Sequence, residues 1–151
     1  MKVFDSLMQK QSELEQFKSL LNELPQKLYE IRLTINELNS RLREAREDLE
    51  LAEMELIRAI IYETDEKGKP AFSNDTARKA ELVIRKKTDF QYQKCLKTLT
   101  QLESKLEEYK TEVKKLEEQY AVTHRLIEAT TAELQVYFGI FQAWEARKRG
   151  M

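Results

Sequence analysis

From Leu7 onward, every seventh residue is leucine or isoleucine: Leu7, Leu14, Leu21, Leu28, Ile35, Leu42, Leu49 and Leu56. A companion series, offset by three, reads Phe17, Leu24, Ile31, Leu38, Ala45, Ala52 and Ala59. Two interleaved apolar heptad series of this length specify a coiled-coil helix. Pro25 lies inside the repeat, where its missing N–H and its ring cost a helix roughly 3 kcal/mol. Yet the phase of the leucines is the same on both sides of it. A helix restarting after a true break has no reason to keep the same seam. Burial of several leucines, at about 1.5–3 kcal/mol each, outweighs the proline. The expectation is one helix over about 2–62 with a kink at Pro25. The alternative places Pro25 in the first turn of a new helix, where proline is tolerated.

Residues 63–75, "ETDEKGKPAFSND", interrupt the pattern. "DEKG" is turn chemistry, with Gly68 able to take positive φ. Ser73 or Asn74 supplies an N-cap, and Asp75 suits the first turn of the following helix. The stretch is read as an ordered loop or a very short β-hairpin. A second heptad series follows: Tyr92, Leu99, Leu106, Val113, Tyr120, Ile127, Leu134 and Phe141, with Cys95, Leu102, Tyr109, Leu116, Thr123, Thr130, Tyr137 and Trp144. Gly139 is its one weak breaker, at about 1 kcal/mol. The expectation is a single second helix over about 76–148.

Two long helices joined by a short loop fold back on each other. Charge agrees. Glu44, Glu47, Asp48, Glu50, Glu53 and Glu55 oppose only Arg46 in one arm. In the other, Arg78, Lys79, Arg85, Lys86, Lys87, Lys94 and Lys97 oppose Glu81 and Asp89. Folding at the loop brings the acidic block against the basic one, and flanking charges set orientation in coiled coils. The fold class expected is therefore all-α: a long antiparallel two-helix coiled-coil hairpin, a single domain over 1–151, dimerising into a four-helix bundle. The dimer follows from a remainder. In this register residues 138–151 have no partner in the chain, so Phe138, Ile140, Phe141 and Trp144 stand exposed as a candidate oligomer interface. Leu20, Leu33, Leu51, Ile57, Ile61, Leu96, Val122 and Leu126 add apolar surface outside the seam.

Composition narrows the function. Of 151 residues 35% are charged, yet the net charge is −1, so no global field recruits nucleic acid or an anionic membrane. No apolar run reaches the ~20 residues that span a bilayer, and the N-terminal ten residues are too polar for a secretory leader; a cytoplasmic protein is expected. One cysteine excludes an internal disulfide, and Cys95 at a seam position reads as a small apolar residue. His124, the lone histidine, has no second ligand at helical spacing. No phosphate-binding loop, dinucleotide fingerprint or nucleophile elbow occurs. A two-helix hairpin has no pocket in which to tune a carboxylate pair. No catalytic residue, metal or cofactor is expected, and the chain is not read as an enzyme.

What remains is contact with macromolecules: a second copy of the chain and an unidentified protein partner. The loop end, with Lys67, Gly68, Lys69, Phe72 and Asn74, is a candidate docking tip. Its other reading is a plain connector with Phe72 tucked onto the helix ends. Nucleic acid is the alternative partner, through Arg78, Lys79, Arg85, Lys86 and Lys87, although the facing acidic block offsets their field. Gly68, Lys69, Phe72, Ser73, Asn74 and Arg78 resemble the G-K-x-x-[FY]-S-N tip of small coiled-coil proteins of phages and other mobile elements. That resemblance covers some 20 residues and implies a nucleic-acid-associated accessory role near recombination, with no particular activity. In outline the chain is also similar to prefoldin subunits, which implies a chaperone. Their longer β-segment between the helices is absent from residues 63–75.

Overall fold

The structure, a computed structural model, describes residues 2–150; Met1 and Met151, the ends of the expected domain, lie outside them. The described chain is all-α, with three helices and no strand. They are α1 (Lys2–Tyr62), α2 (Asp75–Thr88) and α3 (Phe90–Arg149). Two compact units are formed, Met1–Leu33 with Thr111–Met151 and Thr34–Lys110. No helix among the described residues is long and apolar enough to cross a membrane.

In the unit Thr34–Lys110, the seam residues of α1 form the core. Leu38, Leu42, Ala45, Ala52 and Ile60 are buried, as is Leu106 of α3. Leu38, Leu42 and Leu106 form one cluster, packed by Ile35, Leu99, Leu102 and Tyr109. The two small residues, Ala45 and Ala52, are where the heptad places its lesser knobs. At the end of α1 the buried position moves from the expected Ala59, which is exposed, to Ile60, which is 1% exposed. A straight helix drifts against a 3.5-residue repeat. Here α1 also meets α2, whose Leu82 lines a cleft with Ile57, Ile60 and Ile61.

In the unit Met1–Leu33 with Thr111–Met151, Leu24 is fully buried and the residues around it on the same stripe are half-buried. α1 continues through Pro25, which is exposed and faces solvent beside the seam. From α3, Thr123 and Thr130 are buried at 3% and 5% exposure. No buried side-chain polar atom among the described residues lacks a hydrogen-bond partner. The helices here are antiparallel: Lys10 pairs with Glu133 at 2.9 Å, and Arg32 with Glu117 at 3.1 Å.

One expectation is corrected. The second arm is not a continuous helix over about 76–148. It stops at Thr88 and restarts at Phe90. Asp89 is extended, with φ −73° and ψ 123°, and its N–H donates to the Arg85 carbonyl, closing α2. Its carboxylate then accepts from the Tyr92 N–H at 2.8 Å, opening α3. An aspartate at the N-cap satisfies a donor the first turn leaves orphaned. Gly139, the expected weak point, interrupts nothing and lies inside α3.

Candidate interaction sites

The loop end belongs to the unit Thr34–Lys110. Gly68 takes φ +77°, the left-handed conformation that glycine adopts without penalty. Around it the Asp65 carboxylate accepts from the backbone N–H groups of Lys67 and Lys69, both at 2.9 Å. The Asp65 N–H donates to the Lys69 carbonyl at 2.7 Å, and Thr64 and Pro70 form an isolated antiparallel bridge. The turn is thus a tight, self-bonded loop. Asn74, of the two N-cap candidates, is the one used: its side chain accepts from the Ala77 N–H at 2.8 Å.

Phe72 is half-buried rather than presented. The Arg78 guanidinium donates to its carbonyl at 3.1 Å, and the Arg85 guanidinium lies 5.7 Å from the ring centroid. Lys67, Gly68, Lys69 and Asn74 are exposed, so four of the five docking candidates face solvent, Asn74 while serving as the cap, and only Phe72 is clamped.

The basic stretch is similarly engaged. Arg85 donates to Glu81 at 2.8 Å and also pairs with Glu63. Lys86 donates to Glu53 at 2.7 Å, and Lys79 lies 3.6 Å from Asp75. The Glu53 hydrogen bond raises the Lys86 pKa above its usual 10.5, against the lowering effect of partial burial. Arg78 is held on Phe72 as described, and Lys87 is exposed. Four of the five candidate phosphate contacts therefore have partners inside the chain.

The other end lies in the unit Met1–Leu33 with Thr111–Met151. Residues 138–151 were expected to stand without a partner in the chain, and here the structure differs. Val3, Phe4 and Leu7 of α1 face Tyr137, Ile140, Phe141 and Trp144 of α3 across one open groove of about 390 Å³. The first turns of α1 thus run further along α3 than the charge blocks alone predict. The groove is not closed. Phe4 and Trp144 remain 60% and 55% exposed, and the rings of Phe141 and Trp144 sit 6.3 Å apart at 32°. Phe138 is half exposed but does not line the groove. Lys148 covers one face of Trp144, 4.7 Å from its ring centroid. No family model, curated protein or solved structure matches this chain.

Among the described residues no group of three or more His, Cys, Asp or Glu could hold a metal ion. His124 is exposed with Nδ1 3.4 Å from Glu128, and Cys95 is half-buried, accepting a weak hydrogen bond from Gln91. What both ends can do is present surface. The Ile57–Ile61 cleft and the terminal groove were legible only in part, because Ile57, Ile61 and the terminal aromatics were visible as surplus apolar residues while their neighbours were not.

Proposed function

We propose that this chain is a non-enzymatic structural or adaptor protein of the cytoplasm that works through protein–protein contact. In this reading it is a long antiparallel coiled-coil hairpin that self-associates, in its simplest form as a four-helix-bundle dimer, and holds a further protein partner. The observation that carries the reading is the open apolar groove between the first turns of α1 and the last turns of α3, with its exposed aromatics. Contiguous apolar surface of this kind marks interaction sites on soluble proteins. Support also comes from the outer apolar residues: Leu33, Leu51, Val122 and Leu126 are all exposed. The engagement of Arg78, Lys79, Arg85 and Lys86 within the chain favours protein contact over phosphate binding.

Light scattering across a concentration series tests the proposal. The chain mass is 17.9 kDa, and a defined multiple of it is expected. A mass that stays at one chain at high concentration overturns the self-association. Solution scattering tests the elongated hairpin, which a near-spherical particle would rule out.

A further inference from the structure

Within the unit Thr34–Lys110, α2 and α3 are held to α1 by different forces. α3 is anchored by apolar packing: Leu106 is buried with Leu38 and Leu42, and Leu99, Leu102 and Tyr109 pack around them. α2, 14 residues long, has no buried residue. Of its larger apolar side chains, Leu82 is half-buried and shares a cleft with Ile57, Ile60 and Ile61 of α1. Val83 and Ile84 face solvent, 55% and 59% exposed.

Charge supplies the remaining hold. Lys86 donates to Glu53 at 2.7 Å, and Arg85 pairs with Glu63 just past the end of α1. The pairs Arg85–Glu81 and Lys79–Asp75, by contrast, are internal to α2. The Glu53 and Glu63 side chains are 36% and 46% exposed, so dissolved ions reach both. Attraction between such charges weakens as the screening length falls from about 10 Å at 0.1 M salt to about 3 Å at 1 M. Packing of the Leu38, Leu42 and Leu106 kind has no such dependence.

α2 is also bounded by two joints. On one side stands Asp89, a single extended residue before α3. On the other, the Ala71 N–H donates to the Glu63 carbonyl and closes the loop on itself, which leaves residues 72–74 as the link into α2. Helical cooperativity does not pass through such breaks, and a helix of this length is marginal in water by itself.

We propose that α2 is a strap that opens by itself between these joints while the leucine cluster of α1 and α3 stays packed, and that ionic strength sets how often it opens. Closed, it walls the cleft that holds Ile60. Open, it bares that apolar end of α1. Segments with few buried apolar contacts are the ones that open below the global unfolding transition. The device works within one chain and needs no second copy.

Hydrogen exchange followed by mass spectrometry on the full chain tests it. Amides of residues 77–88 are compared with those of residues 99–109 in the same sample, so that the ratio of the two rates is read. In 0.1 M NaCl the α2 amides are expected to exchange at least about tenfold faster, and in 1 M NaCl the ratio should rise a further three- to tenfold. The double variant Glu53→Gln with Glu63→Gln, its helix content checked by circular dichroism, should show the raised ratio already at 0.1 M and lose most of the response to salt. Exchange of α2 in step with α3 at both salt concentrations overturns the independent strap. A fast α2 whose ratio ignores salt, or a folded double variant that keeps the parent's salt response, overturns the charge latch.

Discussion

Lys86 of α2 reaches Glu53 of α1 with a 2.7 Å hydrogen bond while its ammonium lies 5.5 Å over the Tyr92 ring of α3. One side chain thus touches all three helices where they meet. The hydrogen bond to Glu53, partly opposed by burial, raises the lysine pKa in the folded state above 10.5. A raised pKa on a base means that its contribution is complete below the unfolded value and fades as pH rises past the folded one.

Glu53→Gln is accordingly expected to destabilise the protein by about 0.3–1 kcal/mol near pH 8, the range for a partly exposed ion pair. Above pH 10.5 the difference from the parent should shrink toward zero. Urea unfolding at fixed protein concentration, at pH 8 and pH 11, checks both the size and the sign.

Pro25 remains a helix-interior proline, and its ring is exposed rather than packed in the seam. Pro25→Ala should therefore raise stability by roughly 1–3 kcal/mol by restoring a backbone hydrogen bond and removing the clash with the Leu21 carbonyl. An unchanged or lowered urea midpoint would show that the proline makes a contact worth as much as it costs.

The neighbouring residue behaves in the opposite way. Leu24 is 0% exposed, so Leu24→Ala removes three carbons from a filled site. A loss of about 2–5 kcal/mol is expected, by the same measurement.

Two glycines should respond with opposite signs to the same change. Gly68 has φ +77° with nothing within 4 Å of an added Cβ, so Gly68→Ala is opposed by backbone conformation alone, by about 1 kcal/mol. Gly139 is helical with the same open space, so Gly139→Ala should stabilise by about 0.5–1 kcal/mol. Thermal unfolding of the pair at matched concentration reads the two directions side by side.

Asp89→Ala removes the side chain that caps α3 and should cost about 1 kcal/mol. Amide exchange should accelerate at Tyr92, whose N–H the carboxylate accepts at 2.8 Å, ahead of the rest of α3. Uniform acceleration along α3 would contradict a local cap.

The parts of this fold legible in the sequence are those governed by one strong period. The a/d leucines read straight through Pro25, and the helix does too. A cap at Ser73 or Asn74 was legible because the pair stands between loop composition and an apolar repeat, and the structure uses Asn74. Asp89 was not, although "TDFQY" is an N-cap followed by an apolar residue, because the repeat on both sides of it is helical and outweighed a two-residue signal. The move from Ala59 to Ile60 needed knowledge of α2 as a neighbour, which no heptad count contains. Register posed the same difficulty for the terminal end. Charge blocks align two arms only to within several residues, and that margin separates an unpartnered Phe141 and Trp144 from a groove shared with Phe4 and Leu7. At the loop, the aromatic Phe72 was visible but its two arginine neighbours, six and thirteen residues on, were not.

The stop at Thr88 and the fresh start at Phe90 also insulate one part of the chain from another. In an unbroken helix, each residue inserted or deleted between the loop and the core would rotate everything beyond it by about 100°, scrambling the inward face. With Asp89 as a hinge point for phase, the stretch from Glu63 to Thr88 can change length, or be exchanged for another, while Leu99, Leu102 and Leu106 keep their places. A change of length in that stretch is thereby uncoupled from the rotational phase of α3.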